Sequence, residues 1–284
     1  MSVPSARHGA KSTHPRSPGT LLRRATAIAA LAAAFGALAT SPARAEAFDR
    51  AGWAQWLQTH TRRVDDMAGT RVDYASLKKD PGWRAFVDSL AQARPPRGRG
   101  PRMAFWIDVY NVLAIDTVVR HWPVDSIKDA GSFFRPVWGM DAGTVGGRVV
   151  TLHEIEHEIL RPMGDPRIHM AIVCASTSCP SLAREPFDPA RLDAQLDAAV
   201  RRFLADPRKG MSIDRMSGTL TLSRIFDWFD EDFDDEDGVR GFLSSHIEHM
   251  ESIPSADFGW LCCTRSKIRI RYLDYDWRVN AVER

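Results

Sequence analysis

The sequence predicts an α+β fold, with a buried central helix packed on a small mixed or antiparallel sheet and flanked by further helices. Three observations predict it. Residues 103–121, MAFWIDVYNVLAIDTVVRH, are apolar nearly all the way round a helix, which suits a helix enclosed by other elements. The extended segments elsewhere are short. Helices and strands also lack the regular alternation of a doubly wound parallel sheet, and no internal repeat is present.

The first 45 residues read differently from the rest. They hold six basic residues (Arg7, Lys11, Arg16, Arg23, Arg24, Arg44) and no acidic one. Arg23-Arg24 precedes an apolar run from Ala25 to Ala39, and Ala43-Arg44-Ala45 offers a small-residue cleavage site. That is the layout of a secretory signal peptide, and the run is short of the roughly 20 residues a spanning helix needs. The expectation is a cleaved leader over 1–45, a single domain over 46–284, and a secreted or periplasmic product with no membrane contact once the leader is gone. Of the 38 basic residues in the chain, removing these six leaves 32 against 36 acidic ones, so the net charge falls from +2 to −4. An acidic mature chain argues against nucleic acid as the main partner.

Residues 47–93 predict amphipathic helices around Trp53, Trp56, Leu57, Trp83, Phe86 and Leu90, with a short extended piece at Arg71–Tyr74. Residues 94–102, RPPRGRGPR, predict a solvated connector ahead of the central helix. Asp108 and Asn111 lie three apart on that helix and share a face, so both must find hydrogen-bond partners. Pro123 ends it. Val145–Val150 predicts a hairpin turn feeding a strand. Thr151 caps the short helix LHEIEHEIL, with Glu154 three residues on and Arg161-Pro162 as its stop. Residues 167–174 predict a strand, 188–206 an amphipathic helix, 211–222 a hairpin, 239–250 a helix and 267–273 a terminal strand.

Chemistry concentrates in 167–182, RIHMAIVCASTSCPSL. Histidine and thiol at a strand-to-loop edge suit a sulfur nucleophile or a labile disulfide. In a regular strand His169 and Cys174 point to opposite faces, so they form no direct dyad. A nucleophile at Cys174 or Cys179 would draw its base from His157, oriented by Glu156 or Asn111. Equally, Cys174 and Cys179 could close a disulfide, or Cys174 could be a small buried hydrophobe. His153-Glu154-Ile155-Glu156-His157 matches the H-E-x-x-H pattern of zinc hydrolases, but Leu160 replaces the glycine of its extended form. His169 or Glu185 would have to be the third ligand. The acidic run Asp227–Asp237 lacks the glycine and glutamate of a calcium loop, and reads as a solvated face over Phe226, Phe229 and Phe233. For the adjacent Cys262 and Cys263, pairing elsewhere or free thiols are expected.

These residues resemble the domain of unknown function 547 family over roughly 53–280. The resemblance is carried in order by Val72-Asp73-Tyr74, by Ala104–Leu113, and by Ile155-Glu156-His157 with Leu160-Arg161. Asp165–Cys174 with Ser178-Cys179-Pro180 follows, and Tyr275–Asn280 closes it. It departs at Asp108, where the family helix usually has asparagine, and His153 is not part of the pattern. The resemblance implies that Asn111, Glu156, His157, Arg161, His169, Cys174 and Cys179 define the site, and it implies no activity. A buried helix followed by strands carrying a histidine also resembles papain or transglutaminase architecture loosely, although this helix carries no cysteine.

The functional expectation is a thiol-dependent hydrolase or transferase acting on a small molecule or peptide, with no cofactor. The alternatives are a non-catalytic binding domain with a Cys174–Cys179 disulfide, and a zinc metallohydrolase through His153 and His157.

Overall fold

The central helix begins one turn earlier than its apolar pattern suggests. In the computed structural model, which describes residues 47–132, 134–234, 238–248, 250–264 and 268–282, it runs from Arg99 to His121. The leader expected over 1–45 and Asp235–Asp237 of the acidic run lie outside the described residues. Gly98 precedes the helix with φ 91°, a left-handed conformation that favours glycine. Pro101 falls in the first turn, where a missing N–H costs nothing. The basic connector is therefore shorter than expected.

The elements follow in order: α1 (Arg50–His60), the hairpin β1 (Thr61–Arg63) and β2 (Thr70–Val72), α2 (Tyr74–Lys79), α3 (Pro81–Ser89) and α4 (Arg99–His121). Next come the hairpin β3 (Asp141–Val145) and β4 (Arg148–Thr151), α5 (Leu192–Leu204), and the hairpin β5 (Met211–Asp214) and β6 (Thr219–Leu222). The chain then forms α6 (Ile225–Trp228), α7 (Gly238–Ile247), α8 (Ser255–Cys263) and β7 (Arg269–Tyr272). β7 pairs parallel to β6, so one small sheet is mixed and the other two are antiparallel pairs. The fold is α+β.

Every residue of α4 from Met103 to Val119 is buried, with α2, α3 and the β3 hairpin packed around it. Its buried carboxylates are bonded by tryptophans of α1 and α3, whereas the Trp106 Nε1 of α4 itself has no hydrogen-bond partner among the described residues. Trp53 Nε1 donates to Asp108 at 3.2 Å and Trp83 Nε1 to Asp116 at 3.1 Å. Burial pushes the Asp108 carboxyl up to about 8, against the pull of the Phe187 N–H and Trp53. A second apolar cluster gathers α5, β5, β6 and α7 around Phe203, Leu220 and Phe233.

One element contradicts the sequence reading. Residues 167–174 are not a strand. Pro166–Met170 is a 3-10 helix, started by the Asp165 side chain, which accepts from Arg167 N at 3.1 Å, and by Pro166 in its first turn. A short apolar run buried on all sides has no period that separates strand from helix. The face alternation that separated His169 from Cys174 therefore does not apply.

The C-terminal segment is threaded through the fold. Val72 N donates to Asn280 O at 2.9 Å, Thr177 N to Arg278 O at 2.8 Å and Asn280 N to Ala175 O at 2.9 Å. Tyr74 Oη donates to Asn280 Oδ1 at 2.7 Å. These bonds tie the last residues to β2 and to the cysteine turn.

Candidate functional site

Cys174 and Cys179 meet across a turn with four residues between them. Their sulfurs are in bonding contact and pair as a disulfide. Ala175 makes the reversal in the left-handed region, at φ 62°, a conformation that costs a non-glycine residue about 1 kcal/mol. Beneath the turn, Asn111 of α4 holds the chain by both ends of its amide. Its Nδ2 donates to Ala171 O at 3.0 Å, and its Oδ1 accepts from Val173 N at 2.8 Å. Asn111 thus positions the cysteine segment, and its amide is not left to orient His157.

Tyr275, delivered by the C-terminal segment, lies over the sulfurs. Its hydroxyl donates to Cys179 Sγ at 3.2 Å, sits 3.4 Å from Cys174 Sγ, and accepts from Ser176 Oγ at 3.1 Å. Burial raises the Tyr275 phenol well above its ordinary range.

Both sulfurs line a cleft of about 380 Å³. Its acid–base wall is the segment after β4. Thr151 Oγ1 accepts from Glu154 N at 2.9 Å, as the sequence predicts, but Glu154–Leu160 then widens into a π-helical turn. Such turns recur at functional sites. This one aims His153, Glu156 and His157 at the cleft, and the two imidazole rings stack at 4.4 Å. Much of the remaining lining is aromatic: Trp138, Trp228, Phe229, Tyr275 and Trp277, with the Phe229 ring 5.8 Å from that of His157. Trp228 stacks on Trp277 at 5.6 Å and is 45% exposed, so it stands at the rim.

Glu156 is buried, and its carboxyl accepts from Tyr110 Oη at 3.3 Å. Burial pushes it up to about 7, with Tyr110 and Arg161 opposing the rise and Asp232 adding to it. It therefore changes charge near neutrality. Behind this wall, Arg161 donates to both oxygens of Asp232, at 2.6 and 2.9 Å, and from Nη1 to His157 Nδ1 at 3.0 Å. A guanidinium only donates, so His157 Nδ1 carries no proton. Burial and the neighbouring positive groups hold the His157 pKa down to about 4, leaving a neutral ring that bears its proton on Nε2. His169 Nε2 bonds Asp232 at 2.6 Å and its ring stacks on Phe229 at 4.1 Å. Burial lowers the His169 pKa and Asp232 opposes that. Burial acts to raise the Asp232 carboxyl, but its bonds to His169 and Arg161 hold it well below the usual carboxylate range. An ionised carboxylate only accepts, so a neutral His169 donates to it from Nε2.

The structure thus brings six of the seven residues expected from sequence to one place. Cys174, Cys179, Glu156, His157 and His169 line the cleft, with Arg161 directly behind. His169 and Cys174 both line the cavity, and no direct hydrogen bond joins them among the described residues. His153 lines it too, beside His157, yet among the described residues no group of three His, Cys, Asp or Glu side chains is arranged to hold a metal ion. The sequence reading missed Asp232, Tyr110, Tyr275 and the tryptophan wall. Tyr110 and Tyr275 were within quoted motifs. Asp232 sat in a run read as solvated, and no spacing distinguished it from its acidic neighbours. The expectation for Cys262 and Cys263 is also not met. With Cys174 and Cys179 taken up by each other, the adjacent pair in α8 is joined as a vicinal disulfide.

Residues 98–204 match the family model described as "Protein of unknown function, DUF547". Over these residues the chain is similar to the DUF547 family. No curated protein and no solved structure matches it. The DUF547 match spans α4 to α5 and contains all seven residues expected from sequence. Asp232, Trp228, Tyr275 and Trp277 are supplied from beyond it, so the match contributes most of the cleft lining and the C-terminal part of the chain contributes the rest. Among the described residues no helix is long and apolar enough to cross a membrane.

Proposed function

We propose that this protein is a binding domain, exported after loss of its leader, whose cleft takes a small molecule or short peptide with an aromatic or apolar body and one polar end. The observation that carries the reading is the composition of the cleft. Rings from Trp138, Trp228, Phe229, Tyr275 and Trp277 form much of the lining, the Cys174–Cys179 pair forms the floor, and Glu156 and the His157 ring line it too. Aromatic walls bind flat apolar groups, and a few converging polar groups fix their orientation. A bridged pair suits an oxidising compartment, where the basic, acid-free first 45 residues would direct the chain.

The reading is tested by following tryptophan fluorescence during titration with a panel of aromatic dipeptides and small aromatic acids. At least one ligand is expected to quench saturably, and Trp228→Ala is expected to weaken it at least about tenfold, or about 1.4 kcal/mol. A panel that produces no saturable change, or a Trp228→Ala variant that binds like the wild type, contradicts it.

A second reading, a thiol-dependent hydrolase or transferase, is favoured by one observation: His157 and both sulfurs share the cleft. It requires the bridge to be reduced and His157 to give up the contact that occupies its Nδ1. Cys179→Ser and His157→Ala compared side by side test it. Loss of labelling by iodoacetamide below pH 7 in Cys179→Ser, with slower labelling in His157→Ala, supports it. Wild-type protein that does not label after the bridge has been reduced excludes it.

A further inference from the structure

A larger cavity, about 690 Å³, opens on the backbone side of the cysteine turn, between the β1–β2 hairpin, the 181–187 segment and α5. Its chemistry is unlike that of the cleft. Six cationic side chains line it: Arg63, Arg184, Arg191, Arg202, Arg208 and Lys209. Among the described residues, two of them have a carboxylate partner. Arg208 pairs with Asp206 at 2.8 Å and Arg191 with Glu185 at 3.1 Å. The third carboxylate in the wall, Asp66, is bonded to Arg71, outside the lining, at 2.7 Å.

The other four form no ion pair with a carboxylate among the described residues, although Asp206 and Asp66 act on Lys209 from a distance. Arg184 donates to the neutral oxygens of Thr61 and Gln58. Lys209, 3% exposed, donates to Ala68 O, Cys179 O and Ser181 Oγ, at 3.2, 2.9 and 3.2 Å, with no carboxylate among them. No ion pair or side-chain hydrogen bond reaches Arg63 or Arg202 among the described residues. After burial, Arg63 is the largest influence lowering the Arg202 pKa, and Glu185 opposes it more weakly. Two exposed guanidinium groups that line one cavity and repel each other, with only the weaker pull of Glu185 against that, suit an anion supplied from outside. The surplus stands out on a chain that would carry net charge −4 without its leader. The floor of the cavity includes Met170, Leu182 and Phe187, apolar groups that would keep water from competing with the ligand.

We propose that this groove binds a small polyanion with at least two phosphate or carboxylate groups, clamped between Arg63 and Arg202. The guanidinium fork matches either oxyanion bidentately, so the two sources share one chemistry. The site is separate from the aromatic cleft and does not depend on the function proposed for it.

The test is calorimetric titration of the full mature chain at low ionic strength with inorganic pyrophosphate and, separately, with citrate. At least one is expected to bind saturably, and to weaken as salt is added. Tighter binding of pyrophosphate by about tenfold assigns a phosphate ligand, and the reverse a carboxylate ligand. The double variant Arg63→Gln/Arg202→Gln should weaken the preferred probe at least about tenfold, while Trp228→Ala binds it like the wild type. Neither arginine makes an internal side-chain bond, so the double variant is expected to melt within a few degrees of the wild type. Should it not, Arg202→Gln alone is expected to weaken binding by about threefold or more and decides the question. The proposal is overturned if neither probe saturates up to about 10 mM, a free energy near −3 kcal/mol. It is equally overturned if a folded Arg202→Gln variant binds as tightly as the wild type.

Discussion

The two cavities share one stretch of chain and use it in opposite ways. The cleft takes the Cys179 sulfur and surrounds it with rings and neutral imidazoles. On the other side, the Cys179 carbonyl accepts from Lys209 at 2.9 Å, and that lysine belongs to the cationic groove. Burial acts on both, with opposite electrostatic outcomes. In the cleft it keeps an acid protonated, raising Glu156 to about 7. In the groove it works against a cation, lowering Lys209 to about 8. The lesson is that a single turn can supply a side chain to one site and a backbone to another, so a change at the turn is felt in both.

The largest effect is expected where the comparison can be broken outright. Asn111 supports the turn from below, and Asn111→Ala leaves Val173 N–H and Ala171 C=O buried without their partners. We expect a loss of about 4 kcal/mol in urea denaturation, and reduced ligand binding on both sides. A loss under about 1 kcal/mol would mean that the turn holds itself.

The next two predictions sharpen the electrostatic contrast. The folded-state pKa of Glu156 is raised from 4.5 to about 7, so the protonated form is the one favoured by folding. Its contribution is fully present below pH 4.5 and is lost as pH rises through 7, by about 3 kcal/mol. Glu156→Gln keeps an acceptor for Tyr110 and should flatten that fall when stability is measured across pH 4 to 8. For Lys209 the pKa is lowered from 10.5 to about 8, so the sign reverses. Between pH 8 and 10.5 the unfolded chain binds the extra proton, and stability should rise by up to about 3 kcal/mol. Lys209→Met should remove that rise. If the pH-dependent contributions that the two variants remove have the same sign, the contrast is contradicted.

The smallest effect is expected at the rim. Trp228 is 45% exposed, so Trp228→Ala should cost under about 1 kcal/mol of stability by thermal melting, while ligand quenching in the cleft falls sharply. A large loss of stability would make Trp228 a core residue and weaken its place in the binding wall.

How much of this was legible in the sequence follows from what each residue's signal was. The helix α4 was legible because 17 successive buried positions leave an unmistakable apolar run, from Met103 to Val119. Its start was not, because Arg99 and Gly100 carry no apolar pattern and the cap is a bare glycine. The hairpins at 141–151 and 211–222 were legible from their turns. The segment 167–174 was misread because burial on every side erases periodicity. Six of the seven expected site residues share the cleft or back it, since Glu156, His157 and Arg161 are close in sequence, and His169 is near the cysteines. The seventh, Asn111, was placed on the right helix but given the wrong partner, because an amide's target depends on which backbone lies opposite. Asp232 was invisible for a related reason. Its bonds to Arg161 and His169 span 71 and 63 residues, and only the folded chain brings them together. The two motifs outside the family match, at 72–74 and 275–280, were quoted separately, and nothing in either announced that Tyr74 and Asn280 would bond.

In the function proposed, Cys174 and Cys179 form the closed floor of a binding cleft and not a poised nucleophile. Alkylation of the native protein without reduction, followed by peptide mapping, tests it most directly. The account predicts a linked 174–179 peptide and no modification at either position. A thiol at Cys179 that takes up iodoacetamide below pH 7 would contradict it.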